Sequence, residues 1–310
     1  MIYCIGETVL DIIFRDGQPI AAKPGGSMLN TAVSLGRAGI SVEYISDFGT
    51  DIPGDIIHDF LTENNVSLKY ISRYLEGKTA LALAFLNENQ DAEYSFYKIF
   101  PDDRLNISFP VIQQGDIVLF GSFYALTASV RKKLIAFIRE ARSRGAFVLY
   151  DPNFRKSHLG ELEFLKPWII ENISLASMVR GSDEDFNLIF GVNNADEAFS
   201  HVAQCGCPAL VYTKNKDCVE MVTKDFRKSF AIKPVTPIST IGAGDAFNAG
   251  IIYAYTAFAG KSSHMNNYVE EIITTGIRFS ADVCKSMENY ISVDFAEKLK
   301  QSIPISKISE

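Results

Sequence analysis

The sequence predicts an α/β fold: a mostly parallel central sheet covered by helices on both faces, with a small β-sheet lid. Short apolar runs alternate with longer amphipathic segments along the 310 residues, which is the pattern of parallel βαβ units. One pair of strand-like segments is joined without a helix, as in a hairpin. No long linker or internal repeat divides the chain, so we expect a single domain over residues 1–310.

Apolar runs bounded by turn residues are the predicted strands of the central sheet. Short continuous runs suit strands that are buried on both faces. The predicted strands are Ile2–Ile5, Val42–Ser46, Asp116–Phe120, Ala146–Tyr150, Leu175–Val179, Ala209–Thr213 and Cys218–Val222.

Amphipathic segments between these runs are the predicted helices. Their apolar residues recur every three or four positions, so that one face of each helix can cover the sheet. The predicted helices are Ser27–Ala38, Gly54–Asn64, Ala128–Arg142, Asn194–Gln204, Gly244–Ala259 and Tyr268–Lys285.

Two segments interrupt the alternation and predict the lid. Residues 9–24 contain a strand-like run and a turn but no helical pattern. Thr79–Leu86 faces Glu93–Ile99 across the turn-rich residues 87–91, and its period-two alternation predicts a hairpin. We therefore expect the lid to come from about 9–24 and 77–101.

The charge balance is acidic, with 30 Lys and Arg against 37 Asp and Glu and a formal net charge of −7. Phosphate backbones select for clusters of Lys and Arg, so we expect no nucleic-acid partner and no anionic membrane partner. No apolar stretch reaches the roughly 18 residues that suggest a membrane span. The composition is that of an ordinary globular enzyme or binding protein.

The five cysteines are scattered and odd in number, which predicts reduced thiols in a cytoplasmic protein. Cys205 and Cys207 form one close pair, but no second pair or nearby His completes a metal site. The four histidines form no HExxH pattern. We therefore expect no metal-hydrolase chemistry.

Ser239–Gly250 is the segment that most directly indicates chemistry. Gly242, Ala243 and Gly244 precede or open a predicted helix, where free N–H groups and the helix dipole stabilise an anion. A carboxylate beside such an anion repels it, so Asp245 is better explained as a base than as a phosphate ligand. It could accept a proton from a hydroxyl that attacks a γ-phosphoryl group.

Two other interpretations of the same segment exist. Asp245 could simply favour the helix dipole while the glycines allow close packing. A dinucleotide-binding loop is weaker, because no glycine follows at the sixth position and the segment lies far from an N-terminal βαβ unit.

Several motifs in order resemble those of the PfkB or ribokinase-like family of carbohydrate kinases, and fructokinases in particular. Ser239–Asp245 is similar to the family's C-terminal signature, and Gly25–Ala32 to its N-terminal Gly-Gly-x-x-x-Asn-x-Ala pattern. Gly49-x-Asp51-x-x-Gly54 and Asp151–Arg155 lie between them in the family's order. The resemblance runs from Gly6 to about residue 289.

The resemblance implies a ribokinase-like fold and transfer of the γ-phosphoryl group of ATP to a hydroxyl of a small sugar. Fructose is the first expectation, and 2-keto-3-deoxygluconate, ribose or a nucleoside are the alternatives. From another class, the chain could be a non-catalytic sugar or nucleotide sensor, although a sensor would not need a base at Asp245. A homodimer that pairs through the lids is also implied.

The resemblance further assigns roles to individual residues. It implies that Asp245 is the general base, and that Gly242, Ala243 and Gly244 form the anion hole. The implied sugar-binding residues are Asp11, Gly25, Gly26, Asn30 and Arg155. The implied nucleotide-binding residues are Thr213, Asn215, Gly242, Gly244, Ala281 and Cys284. Without the resemblance, Asp11 reads as a turn residue, Asn30 as a polar residue early in a helix and Arg155 as a solvated side chain.

The sequence departs from the family pattern at three positions. Ser239 replaces the acidic or amide residue associated with a monovalent cation, so we expect weak or no potassium dependence. Asn215 stands where a glycine is common, and Asn tolerates positive φ. Asp185 replaces a Glu linked to magnesium, so we expect Mg²⁺ to arrive with ATP and Asp185 to act on it indirectly. Alternatively, Ser182 and Asp185 simply cap a helix.

Overall fold

The computed structural model describes residues 1–86, 92–258 and 268–302, and two β-sheets form within them. The strands are β1 Ile2–Ile5, β2 Val9–Arg15, β3 Gln18–Gly25, β4 Val42–Gly49, β5 Val66–Tyr74, β6 Lys78–Leu86, β7 Ala92–Ile99, β8 Ile117–Gly121, β9 Phe147–Asp151, β10 Met178–Ser182, β11 Ala209–Lys214, β12 Cys218–Thr223 and β13 Arg227–Ala231. The helices are α1 Ser27–Arg37, α2 Ile52–Glu63, α3 Ala128–Ser143, α4 Leu162–Leu175, α5 Asp183–Phe190, α6 Ala195–Gln204, α7 Ala243–Phe258, α8 Val269–Val283 and α9 Val293–Ser302.

The large sheet has the order β13-β12-β11-β10-β9-β8-β1-β4-β5. In this order, the seven strands that run from β11 across to β5 are all paired in parallel, and β12 and β13 are added antiparallel at one edge. Alternate residues of the central strands face opposite sides: Cys4 belongs to one hydrophobic core and Ile5 to the other. Helices α1, α2, α7, α8 and α9 cover the first core, and α3 to α6 cover the second. The predicted α/β fold with helices on both faces is confirmed.

Some element bounds differ from the sequence prediction. The strand expected at Leu175–Val179 begins at Met178, because α4 continues to Leu175. The prediction also missed α4, α9, β5 and β13, and it foresaw α5 only in the alternative interpretation, as the helix capped by Ser182. Strand β13 is an edge strand with mostly exposed residues, and α4 contains Pro167, so neither shows a clear periodic pattern.

The second sheet has four strands in the order β3-β2-β6-β7. Strands β6 and β7 pair antiparallel, which confirms the predicted hairpin, although its turn at residues 87–91 lies outside the described residues. Ala80, Ala82 and Ala84 of β6 are buried, whereas Phe85 is 42% exposed. The small side chains therefore face the body of the protein and allow the sheet to lie close to it.

Asp51 ties this small sheet to the large one. It caps α2 by accepting a hydrogen bond from Gly54 N (3.2 Å), and it also accepts from Thr79 N at 3.0 Å and Thr79 Oγ1 at 2.5 Å. A side chain at Gly54 would lie 2.1 Å from the Gly49 carbonyl oxygen. The Gly49-x-Asp51-x-x-Gly54 motif therefore anchors the start of β6.

The five cysteines are free thiols. Across the described parts of the chain, every helix is too short or too polar to cross a membrane.

Candidate active site

The first turns of α1 and α7 meet at Asp245. Ser27 Oγ donates to Asp245 Oδ1 at 2.5 Å, and Asn30 Nδ2 donates to Oδ2 at 2.8 Å. Thr31 Oγ1 donates to the main-chain carbonyl of Asp245 at 2.9 Å. Three side chains of α1 thus fix both the carboxylate and the backbone of a residue more than 200 positions later in the chain.

The environment of Asp245 favours a proton acceptor. Burial raises its pKa above the ordinary value, the hydrogen bonds from Ser27 and Asn30 oppose that shift, and the charge of Asp151 adds to it. Arg155 is close enough to lower the pKa in part. Because a base works best when its pKa is not far below the operating pH, a raised pKa suits proton abstraction. Asp245 also keeps part of its surface exposed.

Glycines shape the two turns beside Asp245. Gly242 has φ +79°, and a Cβ there would lie 2.2 Å from the carbonyl oxygen of Asn289. Gly26 has φ +130°, and a Cβ there would lie 2.2 Å from the carbonyl oxygen of Glu7. Larger residues would break either turn.

The N–H groups of the predicted anion hole differ in availability. Ala243 N donates to Thr240 O at 3.2 Å, so that N–H is already engaged. No partner for Gly244 N is found among the described residues. Of the three predicted anion-hole residues, Gly242 and Gly244 are therefore better placed than Ala243 to offer a free N–H.

Asp11 faces a cavity between the small sheet and the segment that leads to Asp245. Burial raises its pKa to about 7. A Cβ on Gly25 would lie 2.0 Å from Asp11 Oδ2, so only glycine leaves room for the carboxylate. The cavity is lined by Asp11, Ile13, Ala84, Leu86, Tyr94, Ser239, Ile241, Met287 and Asn289.

Tyr94 lies within electrostatic reach of three predicted site residues, Asp11, Asp245 and Arg155. Burial raises the pKa of Tyr94 to about 12, the charges of Asp11 and Asp245 contribute to the rise, and Arg155 opposes it. Asn30 is 4% exposed, and its Oδ1 is buried without a hydrogen-bond partner among the described residues. A buried acceptor of this kind requires a donor. Asn30 therefore orients Asp245 with its amide nitrogen and keeps its oxygen available to a further donor.

Apart from Gly242 and Gly244, the predicted nucleotide-binding residues lie at or just beyond the ends of β11 and α8. Thr213 is the second-last residue of β11, and Asn215 just after the strand adopts φ +46°, a left-handed conformation that Asn tolerates. Ala281 and Cys284 lie at the end of α8, where the Cys284 carbonyl accepts a hydrogen bond from Ile238 N at 2.8 Å. That bond holds the segment before Gly242 against α8.

Asp185 is fully engaged within the structure. Its Oδ2 accepts from Ser182 N at 2.7 Å and Ser182 Oγ at 2.6 Å, and its Oδ1 accepts from Phe154 N at 2.6 Å. Together with the bond from Asp185 N to Ser182 Oγ this is a capping box, as the alternative interpretation predicted. Burial and the charge of Asp151 raise the pKa of Asp185. Within the described residues, no group of three or more His, Cys, Asp or Glu could hold a metal ion.

The structure adds residues that the sequence analysis did not assign to the site. Asp151 is 1% exposed and accepts from Arg180 Nη1 at 3.1 Å and Asn248 Nδ2 at 2.6 Å. The sequence contains a local signal for Ser27 and Asn248. Ser27 lies three positions from Asn30 and Asn248 three positions from Asp245, so each shares a helix face with a predicted site residue. Arg180 has no such signal.

Comparison with known proteins shows which family the chain belongs to. Residues 1–294 match the family model for pfkB family carbohydrate kinases. Fructokinase of Rhizobium leguminosarum bv. trifolii is 29% identical over 262 residues, covering 81% of this chain and 78% of that protein. Aminoimidazole riboside kinase of Salmonella typhimurium is 24% identical over 256 residues, covering 81% of this chain and 80% of that protein.

Two solved structures share the fold. Fructokinase from Vibrio cholerae O395, bound to fructose, ADP and calcium, has a TM-score of 0.83 at 20% identity and covers 96% of this chain and 98% of its own. Aminoimidazole riboside kinase from Salmonella enterica, bound to aminoimidazole riboside and an ATP analogue, also has a TM-score of 0.83 at 20% identity, covering 97% and 98%. The fold is thus ribokinase-like. This chain belongs to the pfkB family of carbohydrate kinases and is a phosphotransferase with an alcohol group as acceptor.

Proposed function

We propose that the protein is an ATP-dependent sugar kinase that transfers the γ-phosphoryl group to a hydroxyl of a small sugar, with fructose as the first candidate. The observation that carries the proposal is the partly exposed Asp245 carboxylate, held by α1 at the start of α7. The segment that leads to Asp245 borders a cavity that contains Asp11, and a glycine turn precedes the carboxylate. Fructokinases among the relatives support fructose.

In the proposed reaction, Asp245 accepts the proton of the sugar hydroxyl as its oxygen bonds to the γ-phosphorus. The bond between that phosphorus and the bridging oxygen of ATP breaks, and ADP leaves. The first turn of α7, with the N–H groups of Gly242 and Gly244, stabilises negative charge on the transferred group. Ser27 and Asn30 keep the carboxylate aimed while the proton moves.

The sugar would lie in the cavity beside Asp11. A carboxylate accepts two hydroxyl groups, and the buried Oδ1 of Asn30 accepts a third. Gly25 and Gly26 allow the sugar to approach the backbone. Arg155 is exposed near Asp245 and would reach the sugar or a phosphate as the small sheet closes over the site and excludes water.

The nucleotide would bind along the edge formed by Thr213, Asn215, Ala281 and Cys284. Mg²⁺ would arrive with ATP and neutralise charge on its phosphates. Asp185 would organise it from a distance, because both carboxylate oxygens already accept protein donors. Ser239 gives a neutral hydroxyl where a cation ligand is expected, so we propose no requirement for potassium.

Two further features belong to the proposal. Phe96, Tyr97 and Ile99 of β7 are 53, 59 and 64% exposed, which supports a homodimer that pairs through the small sheets. The free thiols support a reducing, cytoplasmic location.

A nucleoside is the second candidate substrate. Tyr94 borders the cavity and could stack on a base as well as on a sugar face, and one relative is named aminoimidazole riboside kinase. Ribose and 2-keto-3-deoxygluconate remain further alternatives, as does a sensor without catalysis.

ADP release measured with a panel of sugars and nucleosides tests the proposal. We expect fructose to give the highest kcat/KM, with ³¹P NMR showing a new phosphomonoester in amounts equal to ADP. A higher kcat/KM with a nucleoside would favour the second candidate. Binding of sugar and ATP without ADP release would identify a sensor.

A further inference from the structure

We infer that Arg180 is a built-in cationic part of the phosphate site, lying behind the first turn of α7, with Asp151 and Thr213 fixing its orientation. The inference rests on the proposed function, because it assigns this arginine to the phosphates of the nucleotide. It adds a side-chain charge to a site otherwise made of backbone N–H groups.

The position of Arg180 is set by two anchors and one close approach. Its Nη1 donates to Asp151 Oδ2 at 3.1 Å, and its Nη2 donates to Thr213 Oγ1 at 2.9 Å. A Cβ built on Gly244 would lie 2.8 Å from Nη1. The guanidinium group therefore bridges the predicted nucleotide turn and the predicted anion hole, and any larger residue at position 244 would push it away.

Arg180 retains unused donors. A guanidinium carries five N–H groups, and the two anchors use one on each terminal nitrogen. Its Nε is buried without a hydrogen-bond partner among the described residues, and the residue as a whole is 9% exposed. Buried donors are normally satisfied, and the planar fork of arginine matches phosphate oxygens.

The charge balance around Arg180 also favours a functional role. Asp151 lies against it, and Asp185 lies near Asp151, so two carboxylates face one cation. A buried ion pair is often no more stabilising than an apolar replacement of the same size, since both charges lose water. Asp151 further accepts from Asn248 and Asn153, which spreads its charge over three partners. The ion pair between Arg180 and Asp151 adds little stability, so its place beneath the phosphate turn is explained if incoming phosphates also bind Arg180.

The test compares Arg180→Met and Arg180→Lys with Arg131→Met as the matched control. Arg131 is another buried arginine, 7% exposed and paired with Glu171 between α3 and α4, the helices that cover part of the second hydrophobic core. For each variant, the affinities for ATP and for adenosine are measured by calorimetry without sugar, and kcat, the ATP KM and Tm are measured alongside.

We expect Arg180→Met to weaken ATP binding at least tenfold and to leave adenosine binding within about twofold, because adenosine has no phosphate to bind the guanidinium group. Its kcat should fall about 100-fold or more, and Arg180→Lys should recover part of both losses. Arg131→Met should lower Tm without separating ATP from adenosine. Equal weakening of ATP and adenosine by Arg180→Met, or losses explained by Tm alone, would overturn the inference.

The proposed function and this inference can fail separately. Absence of ADP release from the wild-type protein with every sugar contradicts the kinase proposal. A selective loss of ATP over adenosine in Arg180→Met would still establish the phosphate contact. If Arg180→Met does not fold, Arg180→Lys keeps the test valid, since an unchanged ratio of ATP to adenosine affinity in that variant would count against the guanidinium fork.

Discussion

Asp245 and Asp185 are each the third residue of a helix, yet the structure uses them in different ways. Both oxygens of Asp185 accept donors from its own helix start and from the neighbouring turn at Phe154, and the residue is 4% exposed. The oxygens of Asp245 accept from Ser27 and Asn30 of a distant helix, and the residue stays partly exposed.

The difference separates a carboxylate that builds structure from one available for chemistry. A capping carboxylate satisfies backbone N–H groups that would otherwise be unpaired, so its removal destabilises the fold. Side chains of another element can orient a carboxylate while its oxygens accept no hydrogen bond from the backbone N–H groups of its own helix. The partners of a carboxylate, and not its position in a helix, therefore indicate its role.

The largest expected effect is on catalysis by Asp245→Asn. The amide keeps the size of the side chain but removes the base, so kcat should fall about 100- to 10,000-fold. ATP binding should persist or tighten, because a negative charge near the phosphates is lost. Steady-state kinetics and calorimetry on the same preparation measure both. A kcat above about a tenth of the wild-type value would show that Asp245 is not the base.

Asp185→Ala should mainly affect stability. Two main-chain N–H groups lose a buried acceptor and a helix loses its cap, so we expect the free energy of unfolding to fall by about 2–4 kcal/mol. Asp245→Asn is the matched control, with an expected change below about 1 kcal/mol. Urea titrations measure the free energy of unfolding of both variants, and a similar decrease in the two would contradict the proposed difference between the two carboxylates.

The same Asp185→Ala protein tests the indirect magnesium role. If Asp185 organises Mg²⁺ from a distance, activity corrected for unfolded protein should fall more at low Mg²⁺ than at saturation. Equal loss at every Mg²⁺ concentration would leave Asp185 with the capping role alone.

Asp11 is a third carboxylate, for which we expect an effect on substrate affinity. Asp11→Ala should raise the sugar KM about tenfold or more and change the ATP KM little, since charged hydrogen bonds contribute about 1.5–3 kcal/mol each. Because its pKa is about 7, the sugar KM of the wild type should decrease as pH rises through 7. An unchanged sugar KM in a variant that melts cooperatively would remove Asp11 from the pocket.

The pKa of Asp11 also predicts a stability change of known sign. Its folded value of about 7 exceeds the ordinary value of 3.8, so the fold favours the protonated form. The contribution of Asp11 to stability should therefore decrease as pH rises from about 4 to about 7 and then stay constant. Asp11→Asn should raise Tm relative to wild type more at pH 8 than at pH 4. An equal difference at the two pH values would contradict the shift.

The smallest expected effect is that of potassium. Ser239 borders the cavity but brings no charge, and a neutral hydroxyl is a poor ligand for a hard cation. Turnover in potassium chloride should match turnover in choline chloride at equal ionic strength. More than tenfold activation by potassium would show that other groups form a cation site.

The sequence predicts the fold and the central chemistry because those signals are local. Buried parallel strands are short apolar runs, the glycine turn precedes Asp245 directly, and the hairpin shows its alternation. Edge strand β13 and the proline-containing helix α4 lack such patterns and were missed.

Contacts between distant segments could not be predicted from one sequence. The bonds from Ser27 and Asn30 to Asp245, and from Arg180 to Asp151 and Thr213, join residues that only the folded sheet brings together. The capping of Asp185 by Ser182 was foreseeable from its spacing of three residues. The added bond to Phe154 was not.

The bonds between α1 and Asp245 have a consequence for biosynthesis. Ser27 is made early, but its partner Asp245 follows 218 residues later, so the carboxylate cannot be oriented until α7 has left the ribosome. Loop closure over such a separation is slow compared with local helix formation. The nascent chain therefore spends most of its synthesis with α1 lacking its partner, and the contact between α1 and Asp245 can form only late in synthesis.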